Sequence, residues 1–206
     1  ESNPLSFKIT KANYIITPSK LSTTYNSGKY FQVKVTNSKN DKIVSRVKLK
    51  LKVYTGSSYK TVYITTGTNG IAKYSGSTLS IATHKIIVSI VDSKNISATS
   101  KTNSIIVNKG ITTVSAPIVK NKYNTNKYFS VLIKNKASGK VINGLYLKIK
   151  VCTGKKYKTY TVKTNSKGIA KINTKALKKG KHKVVISTTN KYYTVSKSGY
   201  LINIVK

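Results

Sequence analysis

The chain has very little negative charge and almost no sulfur. Its 206 residues include three acidic side chains, one cysteine, no methionine and no tryptophan. The single cysteine, Cys152, excludes a disulfide within the chain and a cysteine-rich metal site. The acids are Glu1, Asp41 and Asp92, so the second half of the chain contains no carboxylic side chain for acid–base chemistry. No apolar run approaches the roughly 20 residues that span a bilayer, and we expect no membrane insertion.

Basic residues, by contrast, are abundant. Lysine and arginine together number 39, which gives a formal net charge of +36, and Arg46 is the only arginine. Such a charge favours an anionic partner, which could be a nucleic acid, an anionic cell-wall polymer or glycan, or a lipid surface. The other interpretation is that the lysines only keep an exposed surface soluble. Proteins that recognise specific nucleic-acid sequences use arginine for bidentate contacts with bases. Because this chain has one arginine, we expect it to bind nucleic acid only non-specifically.

Residues 47–56 alternate apolar and basic side chains and end in Thr-Gly. A β-strand points successive side chains to opposite faces, so this stretch predicts one apolar face and one lysine face. The design returns at residues 145–154, and the two Thr-Gly pairs lie 154 − 56 = 98 residues apart.

The 98-residue register holds without a gap over most of the chain. Tyr25 and Asn26 match Tyr123 and Asn124 at its start, and residues 106–107 match residues 204–205 at its end. We interpret this as a tandem duplication.

Each copy reads as about seven short strands separated by Asn, Gly and Ser turns, in which Gly70 and Gly168 are expected at positive φ. Short strands of this kind bury their apolar faces by packing two antiparallel sheets together. The fold class is therefore predicted as all-β, with two tandem antiparallel β-sandwiches over residues 1–108 and 109–206. Residues 1–11 are either the closing strand of a preceding repeat or an extra first strand. Because the sequence starts with neither Met nor a signal peptide, we expect a fragment of a longer protein.

The predicted cores consist of the alternating apolar residues. In copy one they are Phe31, Val33, Val35, Val47, Leu49, Leu51, Val53, Val62, Ile64, Ala72, Ile86, Val88 and Ile106. In copy two they are Phe129, Val131, Ile133, Leu145, Leu147, Ile149, Val151, Tyr160, Val162, Ala170, Val184, Ile186 and Ile204.

Several motifs carry a family resemblance. They are the Tyr-Asn pair before Lys29, Tyr30 and Phe31, the turn at residues 139–144, the stretch at residues 164–170 and the stretch at residues 180–184. With these motifs the chain resembles the immunoglobulin-like repeats found in tandem in archaeal and bacterial surface proteins, especially the adhesin-like proteins of methanogens. The resemblance implies immunoglobulin-like sandwiches, a non-enzymatic stalk or adhesion role and an extracellular location at the cell surface. It brings no catalytic residues and no cofactor.

Copy one departs from copy two near its last strands. Where copy two has Tyr192 and Tyr193, the gapless register places Lys94 and Asn95 in copy one. A tyrosine at this point is expected to act like the corner tyrosine of immunoglobulin sandwiches, which would leave copy one looser there.

Lysines interleaved with tyrosines form the only candidate binding surface. Aromatic rings among cations stack on sugars or bases, whereas lysines on an outer face also serve simply to guard strand edges. The candidate residues are Lys48, Lys50, Lys52, Lys60 and Tyr59 in copy one, and Lys148, Lys150, Lys155, Lys156, Lys158 and Tyr157 in copy two.

The remaining reactive residues favour structural interpretations. His84 and His182 share a strand face with core residues, so buried and hydrogen-bonded rings are expected rather than metal ligands. Cys152 lies on the lysine face as an incidental exposed thiol, and the alternative is a thiol made reactive by the neighbouring lysines. A Lys–Asn isopeptide cross-link needs a buried acid, for which only Asp41 and Asp92 are available, and both lie in turns.

We therefore predict a stalk or adhesion module that is not an enzyme and needs no cofactor or metal. Its predicted partners are an anionic cell surface, cell-wall polymer or glycan and the neighbouring repeats of the same chain. The alternative is a lysine-rich module whose function is to bind a polyanion.

Overall fold

The computed structural model describes residues 10–206, which form two compact units. Unit 1 is described over residues 10–23 and 29–107, and unit 2 comprises Thr24–Gly28 and Asn108–Lys206. Thr24–Gly28 belongs to copy one by sequence but to unit 2 by its contacts. The prediction for residues 1–11 falls almost entirely outside the described residues.

Unit 1 consists of two β-sheets. Its strands are β1 (Ala12–Pro18), β2 (Leu21–Thr24), β3 (Phe31–Asn37), β4 (Lys48–Thr55), β5 (Ser58–Thr65), β6 (Ile71–Tyr74), β7 (Ala82–Ile90), β8 (Ile96–Ser97) and β9 (Lys101–Asn108). One sheet has the order β6-β3-β1-β8 and the other β2-β9-β7-β4-β5, and a 3-10 turn at Gly76–Thr78 precedes β7.

Unit 2 repeats this arrangement. Its strands are β10 (Gly110–Ser115), β11 (Val119–Lys122), β12 (Tyr128–Asn135), β13 (Tyr146–Thr153), β14 (Lys156–Lys163), β15 (Ile169–Asn173), β16 (Gly180–Ser187), β17 (Tyr193–Thr194) and β18 (Ser196–Val205). The sheet orders are β15-β12-β10-β17 and β11-β18-β16-β13-β14. The fold is therefore the predicted pair of tandem immunoglobulin-like β-sandwiches, with short strands β2, β8, β11 and β17 in addition to the predicted set. The pairings β1–β8, β10–β17 and β11–β18 are parallel, whereas β4 and β13 pair antiparallel with both of their neighbours.

The lysine-alternating strands β4 and β13 each lie next to the edge of a five-stranded sheet, β4 between β7 and β5 and β13 between β16 and β14. Leu49, Leu51 and Val53 have at most 1% of their surface exposed, and Leu147 and Ile149 are fully buried, as the alternation predicts. At the turns between the sheets, Gly70 and Gly168 adopt φ values of +68° and +72°. An added Cβ would lie 2.9 Å from Ile43 at Gly70 and 2.8 Å from the Ile133 carbonyl at Gly168, so both conformation and space require glycine.

The last strands show where the predicted register is wrong. In unit 1 the buried residues of β9 are Ile105 and Val107 rather than Ile106, whereas in unit 2 Ile202 and Ile204 are buried. His84 pairs with Ile105, and its counterpart His182 pairs with Ile202, which is 97 residues further on rather than 98.

The one-residue difference arises before β17. The amide of Ala12 donates to the Asn95 carbonyl, and the amide of Gly110 donates to the Tyr192 carbonyl. Asn95 is thus the structural counterpart of Tyr192, and Ile96 is the counterpart of Tyr193. A bulge in β18 between the partners of His182 and Lys183 then adjusts the strand further. The gapless alignment is wrong here because copy two is one residue shorter between β16 and β17.

One buried threonine in each unit makes the same pair of hydrogen bonds to the backbone. The Thr66 hydroxyl donates to the Val44 carbonyl and accepts from the Val47 amide, each at 2.9 Å. The Thr164 hydroxyl donates to the Ile142 carbonyl at 2.7 Å and accepts from the Leu145 amide at 2.9 Å. Each threonine satisfies backbone groups where the chain enters β4 or β13.

Across residues 10–206, no helix has both the length and the apolar character needed to cross a bilayer.

Candidate functional site

The outer lysine face of unit 1 is formed by β4 and β5, and it contains only part of the predicted lysine set. Lys48, Lys50 and Lys52 point away from the core and pair across the hairpin with Thr65, Tyr63 and Thr61. Tyr59 continues this face, and half of its surface is exposed. These cations and aromatic rings are accessible together, as a binding surface requires.

The lysines on this face lie over aromatic rings. The Lys52 Nζ atom is 4.7 Å from the centre of the Tyr59 ring, and the Lys48 Nζ atom is 5.3 Å from that of Tyr63. Cation–π contacts of this kind are worth about 0.5–1 kcal/mol at exposed sites. They hold the lysine side chains down on the face while leaving the charge in solvent.

Lys60 does not join this face. It pairs with Val53, whose side chain is buried, so Lys60 lies on the opposite side of β5. Its Nζ atom is 5.8 Å from the centre of the Tyr74 ring. The two-residue turn at Gly56 and Ser57 sets this pairing. Grouping the lysines by their closeness in the sequence therefore places Lys60 on the wrong face.

The predicted set in unit 2 is divided in the same manner. Lys148, Lys150 and Tyr157 lie on the outer face, where the Lys150 Nζ atom is 3.5 Å from the centre of the Tyr157 ring. Lys156 and Lys158 pair with Thr153 and Val151 and therefore lie on the other face of β14. Lys155 is in the turn between β13 and β14 and is exposed.

Lys158, on the inner side of β14, borders a groove in unit 2. Lys158 and Lys178 line it together with Tyr123 and Tyr160, and its volume is about 650 Å³. Cations and tyrosine rings therefore meet at a second place in this unit, separate from the outer face.

Both histidines are buried and hydrogen-bonded, as predicted, and they connect strand ends to turns. His84 is 1% exposed, with Nδ1 2.8 Å from the Tyr54 carbonyl oxygen and Nε2 3.0 Å from the Ser80 carbonyl oxygen. His182 is equally buried, with Nδ1 2.8 Å from the Thr153 hydroxyl and Nε2 2.8 Å from the Lys178 carbonyl oxygen. Both nitrogens of each ring are thus committed to the fold.

The other candidate reactive groups are Cys152, Asp41 and Asp92. Cys152 is half-buried, so it is less exposed than predicted, and it pairs across the sheet with Tyr157 and Lys183. Asp41 and Asp92 are exposed. Asp92 accepts hydrogen bonds from the side chain and backbone of Asn95, which together hold the pKa of its carboxyl below the usual value.

A cluster that the sequence did not nominate lies in unit 2 around Tyr25. The Tyr25 ring stacks on Tyr192 with ring centres 4.5 Å apart and meets Tyr193 edge-on at 5.5 Å. The Asn26 side-chain amide donates to the Tyr193 hydroxyl at 2.8 Å, and the Asn135 side-chain amide donates to the Tyr25 carbonyl at 2.9 Å. We call Tyr25 and Asn26 the Tyr-Asn turn, and its partners Gly110, Asn135, Tyr192 and Tyr193 the receiving face.

Gly110 leaves the space that the Tyr-Asn turn occupies. A Cβ atom at this position would lie 2.8 Å from the Tyr193 ring and 2.9 Å from the Tyr25 carbonyl oxygen. At the corresponding edge of unit 1, Ala12 replaces Gly110, and Asn95 and Ile96 replace the two tyrosines. Tyr192 and Tyr193 thus bind the Tyr-Asn turn and do not play the predicted role of a corner tyrosine.

Tyr193 is the most buried tyrosine of this cluster, at 9% exposed. Burial raises the pKa of its phenol above the ordinary value, and the hydrogen bond from Asn26 opposes that increase only in part. The neutral phenol is therefore the form that fits the receiving face.

Signals for the receiving face exist in the sequence. The Tyr-Asn pair occurs twice at the 98-residue spacing, and the double tyrosine occurs only in copy two. Their relation depends on the fold, because 167 residues separate Asn26 from Tyr193. Within residues 10–206, no three His, Cys, Asp or Glu side chains come together in a way that could hold a metal ion.

No family model and no curated protein sequence matches the chain. Solved structures with a similar fold include a tetra-tandem repeat from the extending region of a large adhesion protein. It is 14% identical with a TM-score of 0.41, over 91% of this chain and 48% of that one. The Yersinia pseudotuberculosis adhesin InvE is 14% identical with a TM-score of 0.39, over 94% of this chain and 58% of that one. Titin domains A168–A170 are 10% identical with a TM-score of 0.47, over 91% of this chain and 63% of that one.

The chain thus spans about half the length of the adhesion-protein fragment and somewhat more of InvE. At these identities and TM-scores the likeness carries no argument about function. The assignment to tandem immunoglobulin-like sandwiches rests on the strand order of the two units.

Proposed function

We propose that the chain is a pair of stalk repeats from an adhesin-like protein at the cell surface, with a mechanical and adhesive role and no enzymatic activity. The observation that carries this proposal is the packing of Thr24–Gly28, a turn of copy one, into unit 2. A repeat whose turn is packed into the next unit suits a tandem array.

The candidate catalytic groups support a role without catalysis. Both ring nitrogens of His84 and of His182 are engaged by backbone or threonine groups, which leaves neither ring available as a general base. The finer assignment, to extracellular adhesin-like proteins of methanogens, rests on the repeat motifs in the sequence.

Pulling on the two ends of the full chain tests the stalk role. Each sandwich is held by long-range strand pairing, so we expect two separate unfolding steps, each releasing about 300 Å of chain from a repeat of about 98 residues. Smooth extension without steps would contradict a stalk made of independently folded sandwiches.

A second candidate function, binding of an anionic wall polymer or glycan, is favoured by the outer lysine face. Three lysines of β4 and two of β13 are displayed with exposed tyrosines beside them. An anionic ligand would gain both charge neutralisation and ring stacking on this face.

The lysine positions provide matched controls for this candidate. Binding of the full chain to an immobilised anionic glycan is measured across a salt series, with nucleic acid as the control for general adhesion of a basic protein. We expect Lys50→Glu and Lys148→Glu to weaken binding and its salt dependence, and Lys60→Glu, on the other face, to do so much less. Equal effects of all three, or a larger effect of Lys158→Glu in the groove, would contradict binding by the outer face.

A further inference from the structure

The turn at Tyr123 and Asn124 has the same form as the Tyr-Asn turn. Asn26 and Asn124 have φ values of +55° and +58°, a left-handed conformation that asparagine tolerates better than most residues. The Ser27 amide donates to the Thr24 carbonyl at 3.1 Å, and the Thr125 amide donates to the Lys122 carbonyl at 3.4 Å. The two turns therefore present their Tyr and Asn side chains from equivalent backbones.

Both turns are anchored to the end of the last strand of their repeat. The Tyr25 amide donates to the Asn108 carbonyl, and the Tyr123 amide donates to the Val205 carbonyl, each at 2.9 Å. Val205 is 97 residues beyond Asn108, which is the offset found for β18. Lys206 therefore occupies the position of Lys109, and a following repeat in register would begin at the equivalent of Gly110.

The surroundings of the two turns differ. Tyr25 is half-buried between Tyr192 and Tyr193, whereas Tyr123 is 50% exposed and has the Lys179 Nζ atom 5.4 Å from its ring centre. Tyr123 also borders the groove with Lys158 and Tyr160. An exposed tyrosine is common on protein surfaces, but Tyr123 stands on the same turn backbone as Tyr25 and is prepared for the same kind of contact.

We propose that Tyr123 and Asn124 form a docking element for the receiving face of another repeat of the copy-two type. The partner carries glycine at the position of Gly110, asparagine at that of Asn135 and tyrosines at those of Tyr192 and Tyr193. Stacking of Tyr123 on the first tyrosine replaces its contact with Lys179, and Asn124 donates to the hydroxyl of the second.

The receiving edge of unit 1 does not meet this specification. Ala12 stands in the place of Gly110, where a Cβ atom lies too close to the position of the docked carbonyl. Asn95 and Ile96 supply neither the stacking ring nor the phenol hydroxyl. Docking is therefore directional and selective: a copy-two repeat accepts the Tyr-Asn turn, and a copy-one repeat does not.

The test uses the full chain extended by one repeat. Residues 110–206 are appended after Lys206, and only the first 206 residues carry nitrogen-15, so that their signals are observed by NMR without overlap. We expect the side-chain amide of Asn124 to move toward the chemical shift of Asn26. We also expect the Tyr123 amide to exchange with solvent on the order of tenfold more slowly, which corresponds to about 1.4 kcal/mol of added protection.

Two matched chains control the experiment. Appending residues 12–108 instead supplies the edge with alanine and no tyrosines and is expected to leave Tyr123 and Asn124 unchanged. A copy-two extension with its equivalent of Tyr193 changed to Phe is expected to keep the ring stacking but lose the shift of the Asn124 side chain. Unchanged signals with the copy-two extension, or equal changes with both extensions, would overturn the proposal.

This proposal rests on the proposed array role, and the two can fail separately. If the extended chain unfolds under force in three steps while Tyr123 and Asn124 remain unchanged, the stalk role stands and the docking element is wrong. If the force trace shows no discrete steps, the stalk role itself is wrong.

Discussion

Units 1 and 2 have equivalent cores but differ at one edge of their four-stranded sheets. In both, the first strand of the four-stranded sheet runs parallel to a two-residue strand, β8 in unit 1 and β17 in unit 2. In unit 2 this edge has Gly110, Tyr192 and Tyr193 and binds the Tyr-Asn turn; in unit 1 it has Ala12, Asn95 and Ile96. The difference shows that duplication preserved the apolar interior, whereas the contact surface for a neighbouring segment is specified by a few residues at the strand start.

The largest expected effect tests whether the cores are equivalent. Phe31 and Phe129 are fully buried at matched positions, so Phe31→Ala and Phe129→Ala should each lower the free energy of unfolding of their own unit by about 3–5 kcal/mol. Urea unfolding followed by residue-resolved NMR measures each unit separately. A cost in one unit less than half that in the other would contradict equivalent cores.

The next effect concerns the space at Gly110. Gly110→Ala should destabilise unit 2 by about 1–3 kcal/mol, because the new Cβ atom collides with the Tyr193 ring and the Tyr25 carbonyl. The matched change Ala12→Gly should cost unit 1 only about 0.5–1 kcal/mol through added backbone freedom. The same NMR-monitored unfolding applies, and a neutral Gly110→Ala would contradict the close packing described for the receiving face.

A smaller effect isolates one hydrogen bond. Tyr193→Phe keeps the ring contact with Tyr25 but removes the acceptor for the Asn26 side chain, which should cost unit 2 about 0.5–1.5 kcal/mol. Asn26→Ala in the Tyr193→Phe background should then cost less than it does in the natural chain. Additive losses in this double-mutant cycle would show that the two side chains do not interact.

The smallest effect is a pH dependence. The pKa of Tyr193 is raised in the folded protein, so the phenol ionises more easily in the unfolded chain. Its contribution is complete below the ordinary tyrosine pKa of about 10 and is lost as the pH rises through the higher folded value. The stability difference between the natural chain and Tyr193→Phe should therefore shrink in that window. Lysine titration is common to both proteins, and a difference that stays constant across the window would contradict a buried neutral phenol.

The alternation of residues in β4 and β13 predicts which face of each strand is buried. Leu49, Leu51 and Val53 are buried as expected. A strand with one buried face must turn all its apolar side chains to that face, so the alternation determines which residues are inside. The prediction for the last strand is wrong because sequence matching favours a constant 98-residue offset, and neither the shorter connection before β17 nor the bulge in β18 leaves a mark in composition. It places Ile106 in the core, where the structure has Ile105 and Val107.

The sequence predicts the face of only some of the candidate lysines, because the rest depends on strand pairing. Lys48, Lys50 and Lys52 were assigned correctly to one face because they lie on one strand. The faces of Lys60, Lys156 and Lys158 depend on how the hairpin pairs, and a two-residue turn places them opposite buried or inward positions. The cluster around Tyr25 depends on contacts across more than 100 residues, which no local pattern contains.

The most direct test of the central claim asks with which unit the Tyr-Asn turn unfolds. Leu49 and Leu147 are fully buried at matched positions, so Leu49→Ala destabilises unit 1 and Leu147→Ala destabilises unit 2. Native-state hydrogen exchange of the full chain then reports the protection of the Tyr25 amide. We predict that Leu147→Ala lowers this protection together with that of the unit 2 strands, while Leu49→Ala leaves it unchanged. Loss of protection with Leu49→Ala alone would show that the turn belongs to unit 1 and would contradict the account.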